Sequence, residues 1–119
     1  MSVGNIIENV IEVSKQLDEK GISAQVISFP CIKPLNYDYI ENLAKNMKPI
    51  FTVEEHGEIG GFGSSISELL MESKYSGVFF KKLALPDVCH NTIGSQIFLR
   101  KKNGLNVDAI LKKILNYVQ

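Results

Sequence analysis

Residues 51–64 read FTVEEHGEIGGFGS. An apolar lead, Phe51–Thr52–Val53, runs into two carboxylates and a histidine, and Gly57, Gly60, Gly61 and Gly63 crowd the positions that follow. The stretch from Pro49 to Val53 has strand composition. Beyond the glycines, Ser65 to Lys74 places Ile66, Leu69 and Leu70 at helical spacing. The quoted segment is therefore the bend of a strand–turn–helix unit.

The same alternation extends in both directions. Asn5 to Lys20 is predicted to be a helix with a stripe of Ile7, Val10, Ile11 and Leu17, flanked by Ile6 and Val13, and Gly21 stops it. Ala24 to Phe29 reads as a strand, and Pro30 and Pro34 hold the next connection extended. Asn36 caps a helix from Tyr37 to Met47, with Ile40, Leu43, Ala44 and Met47 on one side. Val78 to Leu85 is a third strand, Ser95 to Lys102 a helix ending at Asn103–Gly104, and Asn106 begins a last helix. Its stripe is Val107, Ile110, Leu111, Ile114, Leu115 and Val118. Strands separated by helices imply crossover connections. The expected fold is α/β, a mainly parallel sheet covered on both faces, with residues 1–119 as a single domain.

Composition narrows the function classes. The 119 residues are 45% apolar and 22% charged. No apolar run approaches the roughly 20 residues of a membrane span, and no basic region followed by an apolar stretch opens the chain. Cys31 and Cys89 are far apart and not in a CxxC pair, so a reducing, cytoplasmic setting is expected rather than structural zinc or a redox pair. Net charge is zero but uneven: residues 1–73 carry 11 acids and 5 lysines, residues 74–119 carry 2 acids and 8 basic residues. The basic residues lack interleaved aromatics, which argues against nucleic acid; two solvated faces, or a docking surface, remain.

Within the quoted stretch, Glu54, Glu55 and His56 are expected where a parallel strand meets its loop, the edge at which open α/β folds place ligands. Consecutive residues in an extended segment point to opposite faces, so Glu54 and Glu55 cannot share one centre. A metal would need a third ligand, and the other histidine, His90, lies in a separate loop. Cys89 and His90 adjoin, but adjacency is not the spatial pairing a nucleophile needs. The expectation is no catalytic, cofactor-binding or metal residue. A carboxylate would accept N–H bonds from the glycine turn, or the segment would meet a subunit boundary. Gly57, Gly60, Gly61 and Gly63 match neither the Walker nor the dinucleotide spacing, and are read as allowing a tight bend and close helix–strand packing. The helix start near Ser64 stays open to an anion. Glu54, Glu55, His56, Gly60, Gly61, Gly63 and Ser64 are thus the candidate anion or interface residues.

Four stretches, in order, resemble the C-terminal domain of transketolases and their thiamine-diphosphate relatives. They are Gly4 to Asn36, with its Gly-Ile turn and I-K-P-L-N; Phe51 to Leu70, with V-E-E-H and G-G-F-G-S; Leu83 to Asp87, LALPD; and Gly94 to Leu115. The resemblance implies a non-catalytic portion that supports a dimer or regulates a two-carbon ketol transfer between sugar phosphates. Thiamine diphosphate and magnesium would be held by pyrophosphate- and pyrimidine-binding domains or subunits, not by this chain. The parent would be a homodimer, with no nucleic acid or membrane involved. Deoxyxylulose-phosphate synthases and 2-oxoacid dehydrogenase beta subunits share the domain, and a free-standing small-anion-binding or regulatory module is the alternative.

Two departures stand out. The loop after P-D is Val88 to Thr92, VCHNT, where the family has an aromatic and a glycine. And only Met1, Ser2 and Val3 precede Gly4, where the family has a strand near the middle of the sheet. The chain is therefore expected to be a truncated piece, or a split-off subunit whose strand comes from elsewhere. The chain is expected to have a lower thermal midpoint than a version extended by such a strand, or to self-associate through the gap, and midpoints and masses of the two check this. Equal midpoints and two monomers would refute this.

Overall fold

The computed structural model describes residues 1–46 and 49–118. Seven elements follow one another: α1 (Ile7–Asp18), α2 (Tyr37–Asn46), β1 (Ile50–Gly57), α3 (Phe62–Glu72), β2 (Phe80–Leu85), α4 (Gln96–Lys102) and α5 (Val107–Val118). Strands β1 and β2 pair in parallel, Ile50 opposite Phe80 and Val53 opposite Leu83. Two helix layers sandwich them. On one face α2 and α3 bury Ile40, Ala44, Phe62, Ile66, Leu69 and Leu70 against Ile50 and Phe29. On the other, α1 and α5 bury Val13, Leu17, Ile110 and Ile114 against Val53 and Leu83. The split follows strand alternation: Ile50 faces one layer and Val53 the other. This is the expected three-layer α/β arrangement.

The helix ends obey their local chemistry. Gly21 has φ of +77°, and the N–H groups of Gly21 and Ile22 close back on Asp18 and Leu17 at 2.8 and 3.0 Å. That is a Schellman closure, which needs a residue without a Cβ penalty at the left-handed position. The Asn36 side chain accepts from Tyr39 N–H at 3.1 Å, and the Ser95 hydroxyl from Phe98 N–H at 3.3 Å.

Several expectations need correction. The buried residues of α1 are Val13 and Leu17, with Ile6 buried at its N-cap, while Ile11 is 44% exposed. Helix α3 begins at Phe62, not Ser65, because two of its first N–H groups are bonded from outside the helix. Strand β1 runs on to Gly57, so Glu54, Glu55 and His56 belong to the strand, in an irregular stretch of the ladder between Val53 and Gly57. Strand β2 starts at Phe80, not Val78. Met47 lies outside the described residues.

The largest correction concerns Ala24 to Phe29. The segment forms no extended ladder; only Ser28 bridges, to Ser2. The reason is its neighbour. Met1 to Val3 lie between this segment and β1, with Ser2 bridged in parallel to both Ser28 and Val53. Ser2 N–H donates to Ile27 O at 2.8 Å and Phe29 N–H to Ser2 O at 2.9 Å; Val53 N–H donates to Met1 O at 3.0 Å. Met1 to Val3 thus lie between residues 27–29 and β1, and their backbone bonds on that side fall on Ile27 and Phe29, not on residues 24–26.

The Met1 amino group donates to Phe51 O at 2.8 Å, and burial lowers its pKa from 8.0 to about 6. Between those values the unfolded chain binds the proton more readily than the folded one, so stability rises with pH across that window. Stability measured by urea unfolding is expected to increase from pH 6 to pH 8, and N-terminal acetylation should remove that slope. An unchanged slope after acetylation would refute the assignment.

Candidate functional site

The glycine turn closes around Glu54. Its side chain points to the α3 face, where Phe62 N–H donates to Oε2 and Gly63 N–H to Oε1, both at 2.7 Å. Glu54 is only 1% exposed. A carboxylate so buried is costly unless its oxygens are bonded, and the two leading amides of a helix supply bonds together with the positive end of the helix dipole. Gly61, the N-cap, has no side chain to cap with, so a strand residue caps the helix instead.

The approach is close enough to require glycine. A Cβ on Gly63 would lie 2.6 Å from Thr52 Oγ1 and 2.8 Å from Lys82 Cγ, and one on Gly61 would collide with the Glu54 carboxylate. The glycine-rich turn therefore lets α3 descend onto β1 until its amides reach the carboxylate. Ser64 is engaged too: its hydroxyl accepts from Gly60 N–H and donates to Glu58 O, both at 3.1 Å, with Lys82 Nζ at 3.3 Å.

Glu55 points the opposite way and meets α4. Arg100 Nε donates to Oε1 at 2.7 Å and Nη2 to Oε2 at 2.8 Å, a two-pronged pair. Gln96 Nε2 adds bonds at 3.1 and 3.2 Å, and Asn5 Oδ1 accepts from Arg100 Nη2 at 3.2 Å. The Arg100 hydrogen bonds hold the Glu55 carboxyl below the usual carboxylate range, against the opposing effect of burial, and the guanidinium is raised in turn. The network ties α4 and the turn before α1 to the end of β1.

His56 is exposed, with Nδ1 at 3.1 Å from Gly57 O. His90 is also exposed, in the loop after β2, and Cys31 and Cys89 are free, exposed thiols. Among the described residues no three His, Cys, Asp or Glu side chains gather as a metal-holding group, and no helix is long and apolar enough to cross a membrane. The structure brings Glu54, Gly61 and Gly63 together, sends Glu55 elsewhere, and leaves His56 at the surface. Sequence reading missed Arg100, Gln96 and Asn5. One signal was available: Arg100 is the single arginine among the basic residues, and a two-pronged hold on a carboxylate is what arginine offers and lysine does not.

An α/β sandwich whose strand–turn–helix bend is locked by an internal carboxylate defines the class. The chain belongs to the family described as "Transketolase, C-terminal domain", whose profile matches residues 1–110. It is 40% identical over 87 residues to 1-deoxy-D-xylulose-5-phosphate synthase of Halothermothrix orenii (strain H 168 / OCM 544 / DSM 9562), covering 73% of this chain and 14% of that protein. It is 33% identical over 112 residues to the enzyme of the same name from Desulforudis audaxviator (strain MP104C), covering 94% and 18%. A solved structure of a split gene transketolase, an inactive β4 tetramer, superposes with a TM-score of 0.85 at 26% identity, covering 97% of this chain and 37% of that one. The chain spans less than a fifth of the length of these curated relatives.

The capping geometry makes a direct prediction. Glu54→Ala strands two buried N–H groups and should lower unfolding free energy by about 3 kcal/mol. Gly63→Ala should cost about 1–3 kcal/mol by overpacking. Thr52→Val should be neutral or stabilising, because the buried Thr52 hydroxyl has no partner. Urea denaturation of the three variants checks the order; Gly63→Ala as stable as the parent would contradict the close approach.

Proposed function

We infer that residues 1–119 form one non-catalytic domain, the C-terminal portion of a thiamine-diphosphate-dependent enzyme that moves two-carbon ketol units between sugar phosphates. The family match over residues 1–110 carries this reading. The site geometry supports it: the acidic signature is consumed internally, Glu54 by the α3 amides and Glu55 by Arg100. In this reading Glu54, Gly61 and Gly63 are architectural, Ser64 is held by Gly60, Glu58 and Lys82, and His56 and Gly60 lie on an exposed rim available to a neighbouring domain or subunit. The domain supports a homodimer of the complete, cytoplasmic enzyme.

The described residues do not fit thiamine diphosphate with magnesium. The α3 amides that could hold a phosphate already bond Glu54, and no carboxylate cluster stands ready for the metal. The cofactor belongs, in this reading, to pyrophosphate- and pyrimidine-binding regions elsewhere. The same occupied amides weigh against the free-standing anion-binding module.

A second reading has its own support. The curated relatives at 40% and 33% identity are 1-deoxy-D-xylulose-5-phosphate synthases, whereas the transketolase structure stands at 26%. The parent reaction is then formation of 1-deoxyxylulose 5-phosphate. One experiment separates the two. The chain is combined with the polypeptide carrying the cofactor-binding domains from the same source, and both products are assayed. Activity is expected only in the mixture with thiamine diphosphate and magnesium, and the product identifies the parent. Turnover by this chain alone, or full activity of the other polypeptide without it, would overturn the proposal.

A further inference from the structure

An open cavity of about 680 Å³ lies at the carboxyl edge of the sheet, lined there by Glu55 of β1 and by Leu85, the last residue of β2. That edge is where open α/β folds take their ligands, and the volume is that of a small-molecule site. The loop Val88 to Thr92, VCHNT, contributes to one wall and α4 to another. The cavity thus brings this loop and the chain's single arginine, Arg100, to one place.

The hydrogen-bonding capacity left over in the cavity is lopsided. Among the described residues Glu55 is the one carboxylate on its lining, and both of its oxygens already accept from Arg100 and Gln96. Arg100 spends Nε on Glu55 and Nη2 on Glu55 and Asn5. Its Nη1, with two N–H groups, has no acceptor among the described residues, although the residue is only 9% exposed. Lys102 Nζ donates to the Thr92 hydroxyl and has no carboxylate partner among the described residues. The negative end of the α4 dipole, roughly half an elementary charge, is outweighed by Lys101 and Lys102 once Arg100 is set against Glu55. The unspent charge is therefore cationic and comes with donors. Neutral acceptors are left over as well. Asn103 donates through Nδ2 to Leu99 O and Gln96 through Nε2 to Glu55, so each amide oxygen is unbonded among the described residues, as is the whole Asn91 amide. Leu85, Leu99 and Leu105 supply apolar lining.

We propose that this cavity binds a phosphate monoester of a small polyol, the phosphate taken by Lys102 and Arg100 Nη1 and the hydroxyls by the amides of Asn91, Gln96 and Asn103. The charge balance selects the phosphate. Two cations with unspent donors and no free carboxylate suit a dianion, whose three terminal oxygens accept several charge-assisted bonds at once. A carboxylate brings one charge and two oxygens and leaves a cation unmet. The amide oxygens select the rest of the ligand, because each accepts from a hydroxyl. Inorganic phosphate alone would leave those amides and the leucine lining to water. The proposal uses residues of this chain alone and is independent of which reaction the parent enzyme performs.

The test titrates the chain with sorbitol 6-phosphate, sorbitol and inorganic phosphate, followed by calorimetry and amide NMR. Sorbitol 6-phosphate has no carbonyl group, so ketol chemistry cannot account for its binding. It is expected to bind at least about tenfold tighter than inorganic phosphate, that is about 1.4 kcal/mol, and sorbitol not measurably. Amide resonances of residues 88–92 and 96–103 should shift. Lys102→Gln, at an exposed position, should weaken binding at least about tenfold. Lys101→Gln makes the same charge change on the same helix outside the lining, and should weaken it at most about twofold, since solvent and salt screen a charge not in contact. Asn91→Asp places a carboxylate in the loop wall and should also lower affinity, with the Glu55–Arg100 pair left intact. Equal losses for the two lysine variants would reduce the effect to diffuse charge and overturn the proposal. Sorbitol or inorganic phosphate binding as tightly as the ester would overturn it too. So would shifts confined to residues 60–65, which would assign the anion to the start of α3.

Discussion

A carboxylate from the strand sits under the first turn of the following helix, and much of the fold is arranged around that contact. Glu54 is nearly inaccessible, yet each of its oxygens receives a helix amide at 2.7 Å. Removing a charge from water is costly, and two charge-assisted bonds plus the helix dipole offset the cost only at short range. Short range in turn demands glycine at positions 61 and 63, because any Cβ there would meet the carboxylate, Thr52 or Lys82. The approach then presses Phe62 and Ile66 against Ile40 and Ile50, which builds one of the two apolar layers.

The neighbouring acid does a different task on the opposite face. Glu55 anchors Arg100, and through it α4 and Asn5, to the end of β1. Consecutive carboxylates in a strand are thus divided between the two sides of the sheet, one holding a helix start and the other a helix end. Both carboxylates are bonded within the chain on each oxygen. An acidic, histidine-containing motif at the carboxyl edge of a parallel sheet looks catalytic by position, but here its acids bear on architecture.

Between residues 27–29 and β1 the sheet is held by isolated bridges. Met1 to Val3 occupy a position between residues 27–29 and β1, and the ladder on that side stops where they stop. A strand is stable only to the extent that both edges are paired or covered. Ala24 to Val26 have strand composition and a helix layer on either side, yet they form no ladder, because pairing is a property of two segments.

Periodicity in the sequence was enough for the helices, the parallel α/β class and the internal role of the glycine turn, since those follow from local spacing and the lack of a Cβ. The opposite orientation of Glu54 and Glu55 was also legible, from strand alternation alone. What the sequence could not show was contact at long separation. The pairing of Glu55 with Arg100 spans 45 residues, and the place of Met1 beside Phe51 spans 50. The extension of β1 to Gly57 depends on β2 lying alongside, and the start of α3 at Phe62 on a carboxylate eight residues earlier. Local propensity acts within a few residues of chain, whereas ladders, ion pairs and remote caps exist only once the layers have packed.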